Sequence, residues 1–243
     1  MASARGFVDL HSHVLPALDD GAKTLRDSLE MMSLLGRIGF SQVMATPHQR
    51  HRMFMPERAS IDDAYAQVSA ALPEGSPRLE LGAENMWDEI FLERSLTSRQ
   101  PGYTGGKAFL FELPTQQMPP RVEERLFSMR RAPGHLLPVM AHPERYSGLW
   151  DDYDRVARLR TQCALVIDLG ALDGAHGRAQ CKAARAWVED GLVHAAASDT
   201  HGPDDVKFAA AGIAWIRKRM GEDEVQRLLC DGPRQILTGE IPD

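Results

Sequence analysis

Histidines and carboxylates recur at one kind of position in this sequence, the ends of short apolar runs. His11-Ser12-His13 closes the first run, Thr46-Pro47-His48 the second, Gly82-Ala83-Glu84 the third and Phe111-Glu112 the fourth. Ala141-His142-Pro143-Glu144-Arg145 closes the fifth and Ser198-Asp199-Thr200-His201 the seventh, with Asp19 and Asp20 just beyond the first. Imidazole nitrogens and carboxylate oxygens are ligands for divalent metal ions. A lone His-x-His, or a single Glu after a strand, is more often a satisfied polar residue or a helix cap. Six run ends of this kind meeting in space would bury uncompensated charge, which is costly unless cations balance it. The set therefore reads as a metal centre. His51, His135, His176 and His194 lack this context and read as structural or solvated.

The elements that must carry these residues follow from the pattern. Residues 6–13, 42–48, 78–84, 107–113, 136–142, 164–169 and 192–199 read as strands. Leu25, Leu29, Met32 and Leu35 keep the helical period, and Gly39 follows as a helix stop. Ser60 with Asp63 resembles a capping box for a helix carrying Ile61, Ala64, Tyr65, Val68 and Leu72. Further helices are expected near 121–131, 153–162, 178–190, 204–219 and 222–230. Seven strand–helix alternations predict a parallel sheet with crossover helices, and a closed or nearly closed barrel rather than a dinucleotide-binding sheet. Neither G-x-G-x-x-G nor G-x-x-x-x-G-K-[ST] occurs. Residues i and i+2 share a strand face, so His11 and His13 point the same way. In α/β barrels the C-terminal strand ends meet at one mouth.

The chain of 243 residues is expected to be a single domain, 1–243, with 43% hydrophobic and 26% charged residues, an ordinary globular balance. A net charge of −6 with scattered Lys and Arg argues against a nucleic-acid partner. Arg is dense at 50–58 and 121–131, where it reads as a solvated face. No apolar run is long enough to enter a membrane, and the start MASARGFVDLHSH has no signal core, so a cytoplasmic location is expected. Three cysteines without a C-x-x-C pair suit a reducing compartment. A cysteine-nucleophile phosphatase needs C-x5-R, but Leu169, Trp187 and Ile236 stand six residues after Cys163, Cys181 and Cys230. Asp152-Tyr153-Asp154 lacks a preceding apolar strand and reads as a helix start, not an aspartyl nucleophile.

The ordered set HSH, TPH, AHPER and SDTH, with a Glu after the third and fourth strands, resembles the polymerase and histidinol phosphatase (PHP) family. Within it, DLHSHVLPALDDGAKTLRDSLEMM, ATPH, GAEN, FELP, PVMAHPERY and AASDTHG resemble the capsule-type bacterial protein tyrosine phosphatases, from Asp9 to Gly202. The resemblance implies a single-domain distorted (β/α)7 barrel of the PHP type. It implies up to three divalent ions, Mn2+ first and Fe, Co, Mg or Zn as alternatives. The ligand pattern falls on His11, His13, Asp20, His48, Glu84, Glu112, His142, Asp199 and His201. The phosphate-binding arginine falls on Arg145, which with Asp199 and His201 would act at the reacting phosphate. Three divalent ions against the carboxylates of Asp20, Glu84, Glu112 and Asp199 would leave a net positive site, suited to a phosphate monoester. A metal-activated hydroxide would attack phosphorus.

The implied partner is a phosphotyrosine protein, an autophosphorylating bacterial tyrosine kinase of exopolysaccharide assembly. The alternative is a small-molecule phosphatase of the same family, such as one acting on histidinol phosphate. Negative charge counts against a nuclease, and the intact ligand set with Arg145 against a non-catalytic scaffold. Two departures stand out. Asp168 occupies a position where the subgroup usually has Asn, as a proton donor, an extra metal contact or a capping residue, and Gln49 follows TPH where a second His is common. Met53, Phe54, Met55 and Trp87 are candidates for apolar contact with a tyrosyl ring.

Overall fold

A computed structural model describes residues 6–114 and 118–242. Residues 1–5, part of the stretch read above for a signal segment, lie outside the described residues. The strands are β1 (Phe7–Ser12), β2 (Phe40–Ala45), β3 (His48–Gln49), β4 (Arg78–Leu81), β5 (Glu84–Met86), β6 (Ala108–Glu112), β7 (Leu137–Ala141), β8 (Ala164–Asp168) and β9 (Ala195–Ala197). Between and after them run α1 (Leu25–Arg37), α2 (Arg58–Ala71), α3 (Glu89–Ser95), α4 (Val122–Arg130), α5 (Tyr153–Arg160), α6 (Leu169–Asp173), α7 (Arg178–Glu189) and α8 (Val206–Met220). The C-terminal helix expected at 222–230 is three pieces, α9 (Glu222–Gln226), a π-helical turn (Arg227–Asp231) and α10 (Gly232–Thr238). Helices α3 and α6 are too short to show a hydrophobic period and were not anticipated.

All named strand pairs are parallel. They do not close into the barrel, closed or nearly closed, that was expected above. Among the described residues they make two sheets, ordered β1-β2-β4 and β3-β5-β6-β7-β8-β9. The cause is a break in the second and third expected strands. Pro47, which has no N–H to give a ladder, lies between β2 and β3. Gly82 lies between β4 and β5, where a Cβ would stand 2.8 Å from the ring of Tyr103. That buried ring anchors by donating its hydroxyl to the Leu10 carbonyl at 3.0 Å. The sheets touch on their other side through a parallel bridge, Ser12 to Thr200.

Two apolar layers result. Val8, Leu10, Met44, Ala108, Leu110, Leu137, Val139, Ala141, Ala164, Val166, Ala195 and Ala197 form one apolar cluster on the strands, with Tyr103 and Ile236. A larger layer lies between strands and helices. The alternation places the site: the face that carries Leu110, Val166 and Ala197 continues two residues on to Glu112, Asp168 and Asp199.

Helix α1 has the reciprocal cap the sequence sought elsewhere. The Asp27 N–H donates to Thr24 Oγ1 and the Thr24 N–H to Asp27 Oδ2. The box expected at Ser60 and Asp63 is absent. Helix α2 starts earlier, behind Pro56, with Glu57 as an N-cap that makes no side-chain bond, so Ser60 already lies inside the first turn.

Candidate metal centre

The loops and strand ends bring all nine expected ligand residues together, in four overlapping groups. These are His13, Asp20, His48 and His201; His11, His13 and Glu84; His11, His142 and Asp199; and His48, Glu84 and Glu112. Glu84 stands in the middle. Its Oε2 is 3.2 Å from His11 Nε2, 3.3 Å from His13 Nε2 and 2.9 Å from His48 Nδ1, and its Oε1 is 2.9 Å from His142 Nε2. Asp199 Oδ1 lies 3.2 Å from His11 Nε2, and Asp20 Oδ1 lies 3.4 Å from His48 Nε2 and 3.6 Å from His201 Nε2.

The backbone aims two of these ligands through unusual conformations. His142 has φ of 34° and Asp199 φ of 45°, both in the left-handed region that non-glycine residues enter at a cost of about 1–3 kcal/mol. At His142 the backbone N–H donates to the Val166 carbonyl at 2.8 Å. At Asp199 it donates to the His11 carbonyl at 2.9 Å.

The donor set fits divalent cations. His48 Nδ1, Glu84 Oε2, Glu112 Oε1 and Asp199 Oδ1 are buried without a hydrogen-bond partner among the described residues. His48 Nδ1 and Glu84 Oε2 are 2.9 Å apart yet not aligned for a hydrogen bond. Each buried polar group left in this state costs about 1–3 kcal/mol, and all four of these atoms lie on residues of the ligand groups.

Without ions the carboxylates favour the protonated forms of His11, His13 and His48. Burial pulls the His48 ring down, but Glu112 and Glu84 outweigh it and push it up to about 10. His11 is raised by Asp199 and Glu84, and His13 well raised by Asp19, Asp199 and Glu84, again against burial. His201 is lowered by burial and by His13. An imidazole must lose its proton before its nitrogen can ligate. Metal loading at pH 7 is therefore expected to release more than one proton per chain, and apparent metal affinity to rise with pH. Calorimetry in buffers of different ionisation enthalpy measures this; a binding heat independent of buffer would contradict it.

Several side chains outside the expected ligand set support the ligands. Asp19 Oδ2 accepts from His13 Nδ1 at 2.9 Å and from the His48 N–H at 3.0 Å. Asp9 accepts from the Ser198 N–H at 2.9 Å and from the Ser198 hydroxyl, joining β1 to the start of the Asp199 loop. Burial pushes the Asp9 carboxyl up to about 6. Glu144 is fully buried, accepts from the Asp168 N–H at 3.0 Å, and is pushed up to about 8 by burial and by Asp168. Asp19 and Glu144 were visible in the sequence as acidic residues shortly after metal-type histidines, but their supporting roles were not.

Arg145 lies beside the cluster. Its Nη2 donates to Asp168 Oδ2 at 2.8 Å and also to Asp199 Oδ2. Asp199, Asp168 and Glu144 together raise the guanidinium against the effect of burial, so it stays charged. A cavity of about 540 Å3 is lined by Arg145, Asp168, His176, Ser198, Asp199 and His201, among others.

Of the three roles open to Asp168, the structure shows the capping one: Oδ1 takes the Gly170 N–H at 2.7 Å, and Oδ2 faces Arg145 and His176. It lies in none of the metal-type groups. His176, read above as structural or solvated, instead pairs with Asp168 in this cavity, because the α6–α7 turn carries it back over the end of β8.

The other histidines keep the bland reading. His194 is buried and held down to about 3 by burial, Arg160 and Arg227, and its Nδ1 accepts from the Leu165 N–H. His51 pairs with Glu89, and His135 is exposed. Of the apolar candidates, Phe54 stacks on His48 with rings 5.7 Å apart, and Met53 is exposed. Trp87 packs in the core against Phe91 and Phe111 but also lines a second cavity of about 520 Å3. Arg50 and Arg52 line that cavity too, beside Glu112, so this part of the arginine-dense stretch is not merely a solvated face.

Burial also pushes the thiols of Cys163 and Cys230 up, which suits packing and not nucleophilic attack. No helix among the described residues is long and apolar enough to cross a membrane.

Similarity to known proteins extends over nearly the whole chain. Tyrosine-protein phosphatase YwqE of Bacillus subtilis is 29% identical over 236 residues, covering 96% of this chain and 92% of that protein. Tyrosine-protein phosphatase CpsB of Streptococcus agalactiae is 28% identical over 244 residues, covering 95% and 98%. A crystal structure from a study of YwqE from Bacillus subtilis and CpsB from Streptococcus pneumoniae, described as unique metal-dependent tyrosine phosphatases, matches with a TM-score of 0.83. Identity to it is 28%, and the match covers 96% of this chain and 95% of that one. Residues 7–238, from the first strand through the last helix, match the family of capsular polysaccharide synthesis proteins CpsB/CapC, and the chain belongs to that family.

Proposed function

We propose that this chain is a metal-dependent protein-tyrosine phosphatase of capsule or exopolysaccharide synthesis. Its substrate is a phosphotyrosine protein, a bacterial tyrosine autokinase, met in the cytoplasm. The observation that carries the reading is the cluster of nine ligand residues, with buried donor atoms left unpaired, next to a charged arginine. Similarity along nearly the full chain to proteins named tyrosine-protein phosphatases supports it. In this reading residues 1–243 form one catalytic domain, and the two sheets are an opened form of the seven-stranded PHP barrel.

His11, His13, Asp20, His48, Glu84, Glu112, His142, Asp199 and His201 would hold up to three ions, Mn2+ by preference. Bound there, divalent ions lower the pKa of water towards neutrality and offset charge on a phosphoryl group. Arg145 binds and orients the phosphate, using the guanidinium edges that Asp168 and Asp199 leave open. Asp168 and Asp199 hold that guanidinium in place. Asp19 fixes which nitrogen of His13 faces the centre.

A tyrosyl phosphate stands farther from its backbone than a seryl phosphate, and phenolate is the better leaving group. The phosphotyrosine form of a peptide is expected to exceed its phosphoserine form, and histidinol phosphate, by about tenfold or more in kcat/KM. Side-by-side kinetics of the three substrates test this. A preference for histidinol phosphate would contradict the tyrosine reading and move the chain to small-molecule chemistry.

A further inference from the structure

We propose that His176 is the proton donor to the leaving phenol, held in position by Asp168. The proposal rests on the phosphatase reading above and adds a catalytic residue outside the metal-type cluster.

His176 sits in the short turn between α6 and α7. Gly174 and Gly177 flank it with φ of 88° and 111°, conformations that a side chain would strain. The turn is closed by backbone bonds from the Ala175 N–H to the Gly170 carbonyl and from the Gly177 N–H to the Gly174 carbonyl, each 3.1 Å. Asp168 serves both ends of this device. Its Oδ1 caps α6 through the Gly170 N–H, and its Oδ2 pairs with His176 Nε2.

The pairing leaves Nδ1 of the ring without a hydrogen bond among the described residues. The ring is half-exposed and lines the same cavity as Arg145, Asp199 and His201. Its Nε2 lies 3.4 Å from Nη2 of Arg145. The ring lines the cavity that a phosphate held by Arg145 would occupy, which would put the ester oxygen of a tyrosyl group within reach of the imidazole.

The step balances with water as the co-reactant. A P–O bond to the water oxygen forms as the bridging P–O bond breaks. The electron pair of the broken bond leaves on the phenolic oxygen, which takes the Nδ1 proton of the imidazolium. The ring then recovers a proton from solvent, matching the one that water gave up. The products are a neutral tyrosine and inorganic phosphate.

The leaving group provides the test. A proton donor matters for a phenol such as tyrosine and hardly at all for dinitrophenolate, which leaves as a stable anion. His176→Ala is expected to lower kcat/KM for a phosphotyrosine peptide by about 10²-fold, with p-nitrophenyl phosphate in between and 2,4-dinitrophenyl phosphate changed less than about threefold. Added imidazole should restore part of the lost rate, and metal content by mass spectrometry should equal wild type. His176→Asn, which keeps a hydrogen-bonding side chain beside Asp168 but has no proton to give, should show the same leaving-group signature.

An equal loss on all three substrates, or none on any, would overturn the assignment. Turnover of dinitrophenyl phosphate by the wild type reports the phosphatase reading by itself. A wild type inert on all three esters would overturn that reading, and this proposal with it.

Discussion

Glu84→Gln is expected to lower phosphotyrosine-peptide turnover by about 10³-fold or more and to reduce bound metal together with it. The substitution keeps the shape and removes one charge. Glu84 belongs to two of the four ligand groups, and its two oxygens lie within 3.3 Å of four imidazoles. Those imidazoles, His11 first, hold its carboxyl well below the usual range despite complete burial, so it is an ionised acceptor at neutral pH. A glutamine amide would turn N–H donors towards ring nitrogens or cations that require lone pairs. Metal content and kcat measured on the same preparation separate the outcomes. A Glu84→Gln protein with wild-type metal content and rate would contradict the placement of Glu84 at the centre.

Arg145→Ala is expected to cost about 10²–10³-fold in kcat/KM, about 2.7–4 kcal/mol of transition-state stabilisation, while the metal content stays at wild-type level. The guanidinium is assigned to phosphate and lies in none of the ligand groups. Arg145→Lys, a point charge without the planar fork, should recover only part of the rate. Because Arg145 also holds Asp199, metal analysis is essential to the comparison. If metal fell in proportion to activity, Arg145 would be acting through Asp199; a wild-type rate would remove its phosphate role altogether.

The convergence of the ligand-type residues was legible because eight of the nine close an apolar run, with Asp20 in the loop after the first, and parallel strands bring such ends to one side. Glu112 and Asp199 continue the inward face of their strands in register with Leu110 and Ala197. The breaks in the second and third strands were not legible. Pro47 is visible in the sequence, but the close approach of Gly82 to Tyr103 is a tertiary contact between residues 21 apart in the chain. The same holds for Asp9 and Ser198, which meet across 189 residues, and for His176, whose partner is set by how one turn folds back. The capping box shows the opposite error. Ser60 and Asp63 had the right spacing, yet entry behind Pro56 moved the helix start upstream. Thr24 and Asp27, with the same spacing, form the box instead.

The central claim is that phosphotyrosine hydrolysis by this chain runs on bound divalent metal and not on a thiol. Its most direct measurement is phosphotyrosine-peptide hydrolysis by protein stripped of metal, then titrated with Mn2+ while bound metal is counted. The account predicts a stripped protein with negligible turnover, recovery as ions occupy the cluster, and no loss after alkylation of accessible thiols. Full turnover by the metal-free protein, abolished by alkylation, would contradict it.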